Sequence, residues 1–293
     1  MRRYLALFAG LALAASLGAA SNAAPAKHPA ARPPATAATT VPQRPAHVLV
    51  VMFENKAFEH EVGDPHAPYI NSLLARSAVL TRSYAVTHPS QPNYLALFSG
   101  STQGVTSDRC LKRMHGVPNL GSELIAAGLS FTGYSEGLPH AGYRGCTAGR
   151  YAAKHNPWVH FDNVPDASNQ PYEALPADYS QLPTVAFAIP DLCNDMHDCG
   201  TAAGDRWAEA NLEPYLQWAQ RNNSLLLVTY DEDDHSAGNH ILTVIAGAGV
   251  VPGHYDQRID HYGVLRTLED WYGLAPTGYA AQAAPISGIG LGS

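Results

Sequence analysis

Four groups of polar side chains follow apolar stretches of the sequence, and each group could bind a metal ion or a phosphate. They are Glu54-Asn55, His88-Pro89-Ser90, Asp231-Glu232 and a loop with Asp191, Asp195, His197 and Asp198. Carboxylate and amide oxygens bind hard divalent cations, histidine serves as a general acid, and an activated serine hydroxyl attacks phosphorus. Any one group alone could be a solvated turn. Together they indicate one site for metal-assisted phosphoryl chemistry.

Ser90 is the candidate nucleophile. It lies where an extended segment ending at His88-Pro89 gives way to a helical pattern. The start of a helix presents free N–H groups and the positive end of the helix dipole, which favour a bound phosphate. The pattern alone is equally compatible with a serine that only caps the helix.

Four consecutive carboxylates, Asp231 to Asp234, follow the apolar stretch 224–230. Their repulsion is costly unless a cation or solvent offsets it. An EF-hand loop is excluded, because its glycine and glutamate positions hold Ser236 and Leu242. The D-x-D-x-T pattern of aspartate-nucleophile phosphatases also fails, because His235 stands fifth. A metal site and an exposed acidic turn both stay open.

His197 is the candidate general acid. It lies between Asp195 and Asp198, and nearby negative charge favours the protonated ring that a general acid needs. We expect Asp195 to orient the ring. The alternative is a surface histidine in a polar loop.

Strands and helices alternate along the chain. Continuous apolar runs at 47–53, 129–134, 184–189, 224–230 and 241–247 are typical of strands buried on both faces of a sheet. Residues 78–86 form a further extended segment, and helical patterns cover 71–78, 91–98, 119–128, 206–221 and 262–272. The alternation predicts an α/β fold, a mostly parallel central sheet with helices on both faces. Ligands of such sheets bind beyond the carboxyl ends of the strands, which would bring the four polar groups into one crevice.

The first residues predict export. A basic start, Met1-Arg2-Arg3, precedes an apolar run and small residues near Ala24, the pattern of a signal peptide over 1–24. A membrane anchor is the alternative, and the arginine pair leaves the twin-arginine route open. An Ala/Pro-rich linker is predicted over 25–46 and a catalytic domain over 47–293. The expected location is secreted or periplasmic, with no stable membrane span.

The net charge and the cysteines limit the possible partners and indicate disulfides. A net charge of −7 disfavours nucleic acid as a partner. Four cysteines in an exported chain predict two disulfides. Of three possible pairings, the short loop between Cys193 and Cys199 favours Cys193–Cys199 with Cys110–Cys146. A zinc site is the rival, but the spacing matches no usual finger pattern.

Several segments resemble the phosphoesterase family of bacterial acid phosphatases and phospholipases C. They are Phe53-Glu54-Asn55, residues 87–94 (THPSQPNY), residues 194–198 (NDMHD), residues 229–232 (TYDE) and Asn239-His240. The resemblance extends from about residue 47 to the end of the chain. It is strongest to the members of the family that act on phosphatidylinositol 3-phosphate.

The resemblance implies an alkaline-phosphatase-like fold and hydrolysis of phosphate monoesters, phosphoinositides included, through a phosphoseryl intermediate. One divalent metal ion would be held by a set of five residues: Glu54, Asn55, Ser90, Asp231 and Glu232. Oxygen ligands favour Mg²⁺, Ca²⁺ or Mn²⁺, with iron and zinc left open. His197 would protonate the leaving group, and Asn93, His88 and His240 would contact the substrate.

Two other functions are compatible with the same residues. A phospholipase C-type phosphodiesterase would share the site chemistry but needs room for a larger leaving group. An exported protein that binds phosphate ligands without catalysis is the non-enzymatic alternative. The short chain disfavours the first, and the presence of Ser90 with all the expected metal ligands disfavours the second.

Overall fold

A central eight-stranded sheet organises the protein, whose computed structural model describes residues 44–291. The predicted signal peptide, residues 1–24, and linker residues 25–43 lie outside the described residues. Within 44–291, every helix is too short or too polar to cross a membrane.

The elements are numbered in chain order. The strands are β1 His47–Phe53, β2 Ala78–Tyr84, β3 Phe131–Ser135, β4 Thr147–Ala148, β5 Tyr151–Ala152, β6 Asn169–Pro171, β7 Val185–Ile189, β8 Ser224–Tyr230, β9 His240–Gly247 and β10 Gly253–Asp260. The α-helices are α1 Phe58–Glu61, α2 Pro68–Leu74, α3 Ser90–Ser99, α4 Leu120–Ala126, α5 Thr201–Ala219 and α6 His261–Tyr272. Short 3₁₀ turns interrupt the long connection from β5 to β7.

The sheet is mostly parallel, as predicted. Its strand order is β10-β2-β9-β8-β1-β7-β3-β6, and β9 alone of these eight runs against its neighbours. Strands β4 and β5 form a separate small hairpin. The central strands β1, β7 and β8 are buried almost throughout, which explains their uninterrupted apolar sequences.

Helices cover both faces of the sheet. Apolar residues of α3, α4 and α6 form one core with one face, and those of α2 and α5 form a second core with the other. Every residue of α3 is buried, including its polar first turn. The helix that begins at Ser90 is therefore packed against the sheet and α6.

The structure adds one long strand that the apolar pattern did not indicate. Strand β10, Gly253–Asp260, lies at the sheet edge, and its side chains alternate between half-buried and exposed over most of its length. An edge strand needs few apolar residues, so its polar sequence carries little strand signal. Helices α2 and α5 also begin earlier than predicted, at Pro68 and Thr201.

Both favoured disulfide pairings are confirmed. Cys110 and Cys146 are joined with their Cα atoms 5.6 Å apart, and Cys193 and Cys199 with theirs 4.6 Å apart. The second bridge closes the loop that carries His197. Such bridges form and persist in oxidising compartments.

Candidate active site

The carboxyl ends of β1 and β8 place Glu54 and Asp231 side by side. The two strands are parallel neighbours whose last residues, Phe53 and Tyr230, are in register. Asn55 follows with a φ of 54°, a left-handed conformation that asparagine tolerates, and its N–H donates to Asp231 Oδ1 at 3.0 Å. Residues far apart in sequence are thus brought together by sheet register.

Ser90 opens α3 beside these carboxylates. Pro89 occupies the capping position, so Ser90 is the first helical residue and does not cap the helix. Its buried Oγ lies 3.0 Å from Glu54 Oε2 and 3.5 Å from Glu232 Oε1. The hydroxyl therefore contacts acceptors that could take its proton or share a cation with it.

The carboxyl groups of Glu54, Asp231 and Glu232 lie close together beside Ser90. The positive charge near them is not enough to balance three carboxylates. Burial, followed by the charges of Asp231 and Asp195, raises the pKa of Glu54 well above its usual range. Burial also raises the pKa of Asp231, and burial with the Asp231 charge raises that of Glu232 to about 9. Asp231 Oδ2 is buried and has no hydrogen-bond partner among residues 44–291. A divalent cation fits these groups, because it would supply both the missing charge and the missing partner.

Glu54 also belongs to a second group of possible metal ligands, with His155 and Asp195. One ligand atom from each lies within 4.8 Å of the others, and all three residues are buried. His155 Nε2 lies 3.1 Å from Glu54 Oε1, and its Nδ1 lies 3.1 Å from Asp195 Oδ2. Burial, then the Lys154 charge, lowers the pKa of His155 to about 3, so its ring is neutral. Despite its approach to Glu54, His155 Nε2 makes no hydrogen bond within residues 44–291, so this group, like Asp231, keeps a buried ligand atom without a partner.

The predicted contact between Asp195 and the His197 ring is wrong. Asp198, not Asp195, contacts the ring, with Oδ1 2.7 Å from Nδ1. Asp195 instead accepts the backbone N–H of His197 at 2.8 Å and orients His155. Asp195 therefore shapes the loop, while the ring turns its Nε2 towards Lys154 Nζ, 3.3 Å away.

Lys154 is a site residue that sequence analysis missed. Its Nζ donates to Asp108 Oδ2 at 2.9 Å, and Asp108 Oδ1 accepts the N–H of Gln91, the residue after Ser90. Burial lowers the pKa of Lys154, but the Asp108 hydrogen bond and the Glu54 charge outweigh burial and raise it overall. A fixed positive charge thus lies beside the carboxylates. Its only sequence signal is its position in the long, loop-rich stretch 135–181.

Tyr94 is the second residue that was missed. It lies four positions after Ser90 on α3, which puts both side chains on one face of the helix. Its buried hydroxyl donates to Glu54 Oε1. That spacing, read from the sequence, could have indicated the contact.

Two of the predicted substrate contacts are already occupied by protein groups. The buried Asn93 amide donates to the carbonyls of Thr87 and Pro89 and accepts the N–H groups of Val86 and Thr87. It shapes the turn before Ser90, and neither N–H of the amide is left to donate to a phosphate oxygen. His240 contacts Glu59 through Nδ1 at 2.7 Å and the Thr81 carbonyl through Nε2 at 3.0 Å. Neither ring nitrogen of His240 joins the cluster around Ser90.

His88 does join the cluster, as a partner of carboxylates. Its Nδ1 lies 2.8 Å from Glu232 Oε2 and its Nε2 3.2 Å from Asp233 Oδ1. The ring also stacks on His235 at a centroid distance of 3.9 Å. Burial, then the proximity of His235, lowers the pKa of His88.

A cavity in the described part of the chain lies away from these residues. It measures about 610 Å³ and is lined by residues that precede β1 and β8, among them Arg44 and Asn223, together with Trp271. It holds none of the candidate catalytic residues. The charge cluster around Ser90, and not this cavity, indicates chemistry.

A model of the phosphoesterase family matches residues 64–275. The chain belongs to this family. It is 51% identical over 246 residues to a phosphatidylinositol-3-phosphatase of Mycobacterium tuberculosis, a match that covers 83% of this chain and 82% of that protein. It is 30% identical over 249 residues to a phosphate-repressible acid phosphatase of Penicillium chrysogenum, with 78% of this chain and 59% of that protein covered. The resemblance stated from the motifs is confirmed.

Solved structures confirm the alkaline-phosphatase-like fold. A Vibrio parahaemolyticus protein of the alkaline phosphatase superfamily matches with a TM-score of 0.54 and 13% identity, over 83% of this chain and 71% of that one. A phosphonate monoester hydrolase from Silicibacter pomeroyi matches with a TM-score of 0.54 and 15% identity, over 82% and 76%. At such identities the likeness establishes the fold and nothing finer.

Proposed function

We propose that the protein is an exported phosphatase that hydrolyses phosphate monoesters, with Ser90 as the nucleophile. The observation that carries this proposal is the buried Ser90 hydroxyl at the start of α3, within 3.5 Å of two buried carboxyl groups. The names of its relatives, a phosphatidylinositol-3-phosphatase and an acid phosphatase, support the same reaction. Export is supported by the signal-peptide pattern over 1–24 and by the two disulfides.

A divalent cation is part of the proposal. Five residues would hold it: Glu54, Asn55, Ser90, Asp231 and Glu232. Once bound, it would lower the pKa of the Ser90 hydroxyl and neutralise phosphoryl oxygens. The unpartnered Asp231 Oδ2 supports this position. Oxygen ligands favour Mg²⁺, Ca²⁺ or Mn²⁺.

Different side chains would serve the attack on phosphorus and the departure of the ester oxygen. Ser90 Oγ forms a bond to phosphorus and passes its proton to Glu54 Oε2, 3.0 Å away, while the bond from phosphorus to the ester oxygen breaks. His197 donates a proton to that oxygen as it leaves. Water then attacks the phosphoseryl group, which releases inorganic phosphate and restores Ser90. Lys154, whose Nζ lies 3.3 Å from His197 Nε2, would contact a phosphoryl oxygen in the same space.

The substrate class is proposed to include phosphoinositides. The Mycobacterium tuberculosis relative, named for phosphatidylinositol 3-phosphate, matches this chain over most of the length of both proteins. The phosphodiesterase alternative differs in what it must accommodate, since a diester carries a second substituent on phosphorus.

One assay separates these functions. The purified mature chain is tested on a chromogenic aryl phosphate and on a phosphocholine diester, with chelator and after addition of Mg²⁺, Ca²⁺ or Mn²⁺. We expect turnover of the monoester, loss of turnover on chelation, and recovery with one of the added ions. Preference for the diester would favour the phosphodiesterase, and full activity in a metal-free preparation would rule out the cation. Turnover of neither substrate under any condition would favour the non-catalytic alternative.

A further inference from the structure

Positive charge is concentrated in one stretch of an otherwise acidic chain. The net charge is −7, yet residues 109–154 hold six basic residues against only two acidic ones, Glu123 and Glu136. The basic residues are Arg109, Lys112, Arg113, Arg144, Arg150 and Lys154. This distribution differs from a surface on which both signs are interspersed.

The fold gathers the ends of this stretch beside the active site. The disulfide Cys110–Cys146 joins the loop 107–116 to the start of the β4–β5 hairpin. Arg150 lies at the turn of that hairpin, and its carbonyl accepts the N–H of Leu192, just before the His197 loop. The loop and the hairpin therefore lie next to each other at the rim of the site.

Three of the charges in this region are left without a carboxylate partner. Arg113 and Arg144 pair with Asp166, and Lys154 pairs with Asp108. No ion pair within residues 44–291 involves Arg109, Lys112 or Arg150, and all three are exposed. We call these three residues the basic rim.

We propose that the basic rim binds the surface of an anionic phospholipid membrane and so presents the active site to phosphorylated lipid headgroups. This inference rests on the proposed phosphatase function. Charge complementarity supports it, because an anionic surface attracts the rim and repels the rest of a chain with net charge −7. The rim therefore both holds the protein at the bilayer and turns Lys154 and His197 towards it.

The test measures binding separately from catalysis. Vesicles of phosphatidylcholine, with or without phosphatidylserine and free of phosphoinositide, are sedimented with the full mature protein. The rim variant is Arg109→Gln with Lys112→Gln and Arg150→Gln. The control variant makes the same charge change at three exposed sites elsewhere, Arg82→Gln with Arg206→Gln and Arg221→Gln.

We expect the wild type and the control variant to bind only the vesicles with phosphatidylserine, and to bind less as salt rises. Each lost charge near such a surface weakens binding by roughly five-fold, so the rim variant should bind on the order of a hundred-fold more weakly. In vesicles that also contain phosphatidylinositol 3-phosphate, its hydrolysis should fall in parallel. Turnover of a soluble aryl phosphate should be the same in all three proteins.

The proposed role of the basic rim is overturned if the wild type does not bind phosphatidylserine vesicles. It is also overturned if the rim and control variants bind equally well. The proposed phosphatase function fails separately, if the wild type does not hydrolyse the soluble aryl phosphate. Rim-dependent binding without that hydrolysis would support the membrane surface and reject the reaction.

Discussion

The four consecutive carboxylates after β8 fall into two pairs with opposite environments. Asp231 and Glu232 lie beside Ser90, and burial raises the pKa of both. Burial also acts on Asp233, but N–H groups of Ala237, His235 and Asn239 outweigh it and lower the pKa of Asp233. We call Asp231 and Glu232 the inner pair, and Asp233 and Asp234 the turn pair.

The turn pair is satisfied by its own loop. Asp234 resembles Asp233, because contacts with Ser236 and His60 lower its pKa despite some burial. Both carboxylates are therefore stable as anions without any metal. An exposed acidic turn is supported for Asp234 only, because Asp233 is buried although its loop satisfies it, and the metal-site interpretation is proposed for the inner pair alone. A run of like residues in a sequence thus need not serve one purpose.

Ser90→Ala should cause the largest loss, because it removes the hydroxyl that contacts the inner pair. We expect turnover to fall by roughly 10⁴-fold or more. Ser236→Ala is the matched control, since Ser236 contacts only the turn pair. Kinetics of both variants on an aryl phosphate check this, with circular dichroism to confirm folding. Near-normal turnover of Ser90→Ala would mean that another group attacks phosphorus.

His197→Ala should reduce hydrolysis of alkyl phosphates by roughly 10²- to 10⁴-fold, the usual contribution of a general acid. Aryl phosphates should be the least affected, because a phenolate leaves without a proton. His60→Ala is the control, since His60 contacts the turn pair and should matter little to turnover. The measurement is the ratio of alkyl to aryl turnover. An equal fall for both substrates would assign His197 to phosphate binding instead.

Asp231→Asn and Asp233→Asn should separate the two pairs. We expect Asp231→Asn to weaken metal affinity and turnover by at least roughly 100-fold, since even outer-shell partners of a metal contribute 10- to 100-fold. Asp233→Asn should mainly lower stability, by about 1–3 kcal/mol, because an amide donor would face the loop N–H groups. Metal analysis and thermal unfolding measure these effects. Equal loss of metal by Asp231→Asn and Asp233→Asn would contradict the distinction between the inner pair and the turn pair.

A further difference between the two pairs should appear in the pH dependence of metal-free stability. Glu232 has a folded pKa of about 9 against roughly 4.3 when unfolded, so the folded state holds more protons between these values. The free energy of unfolding should then fall as pH rises through this window, and Glu232→Gln should flatten that fall.

Asp233 should affect the free energy of unfolding at acidic pH, at the opposite end of the pH profile. Its folded pKa is lowered, so its stabilisation is present above the unfolded value and lost as pH falls below it. Asp233→Asn should remove part of the acid limb and leave the alkaline limb intact. Chemical denaturation with chelator, over a range of pH, measures both. Identical profiles for the two variants would show that the pairs do not differ.

Much of the fold was predictable, because buried parallel strands carry uninterrupted apolar sequences. The apolar run at 224–230 coincides with β8, and that at 47–53 with β1. The edge strand β10 escaped prediction, since exposure on one side permits a polar sequence. The convergence of Ser90, Glu54 and Asp231 was predictable, because strand ends and helix starts are local features.

His155 and Lys154 were not found, because they come from a connection with no regular pattern. Their positions depend on the disulfide Cys110–Cys146 and on contacts with the distant Asp108 and Asp195. Loops of this kind are positioned by tertiary contacts, not by periodicity.

The sequence by itself determined the α/β alternation, the membership in the family and the polar groups at the ends of the central strands. Only the tertiary structure decided which of those groups are still free to act. Asn93 and His240 are the types of residue that bind phosphate. The local carbonyl of Thr87 already uses Asn93, and the distant Glu59 and Thr81 already use His240. Asp231 resembles Asp233 in sequence, yet one lacks a partner for Oδ2 and the other has three N–H donors. Hydrogen-bond saturation and pKa depend on burial and on the groups that face each side chain, and both are set only when the chain folds.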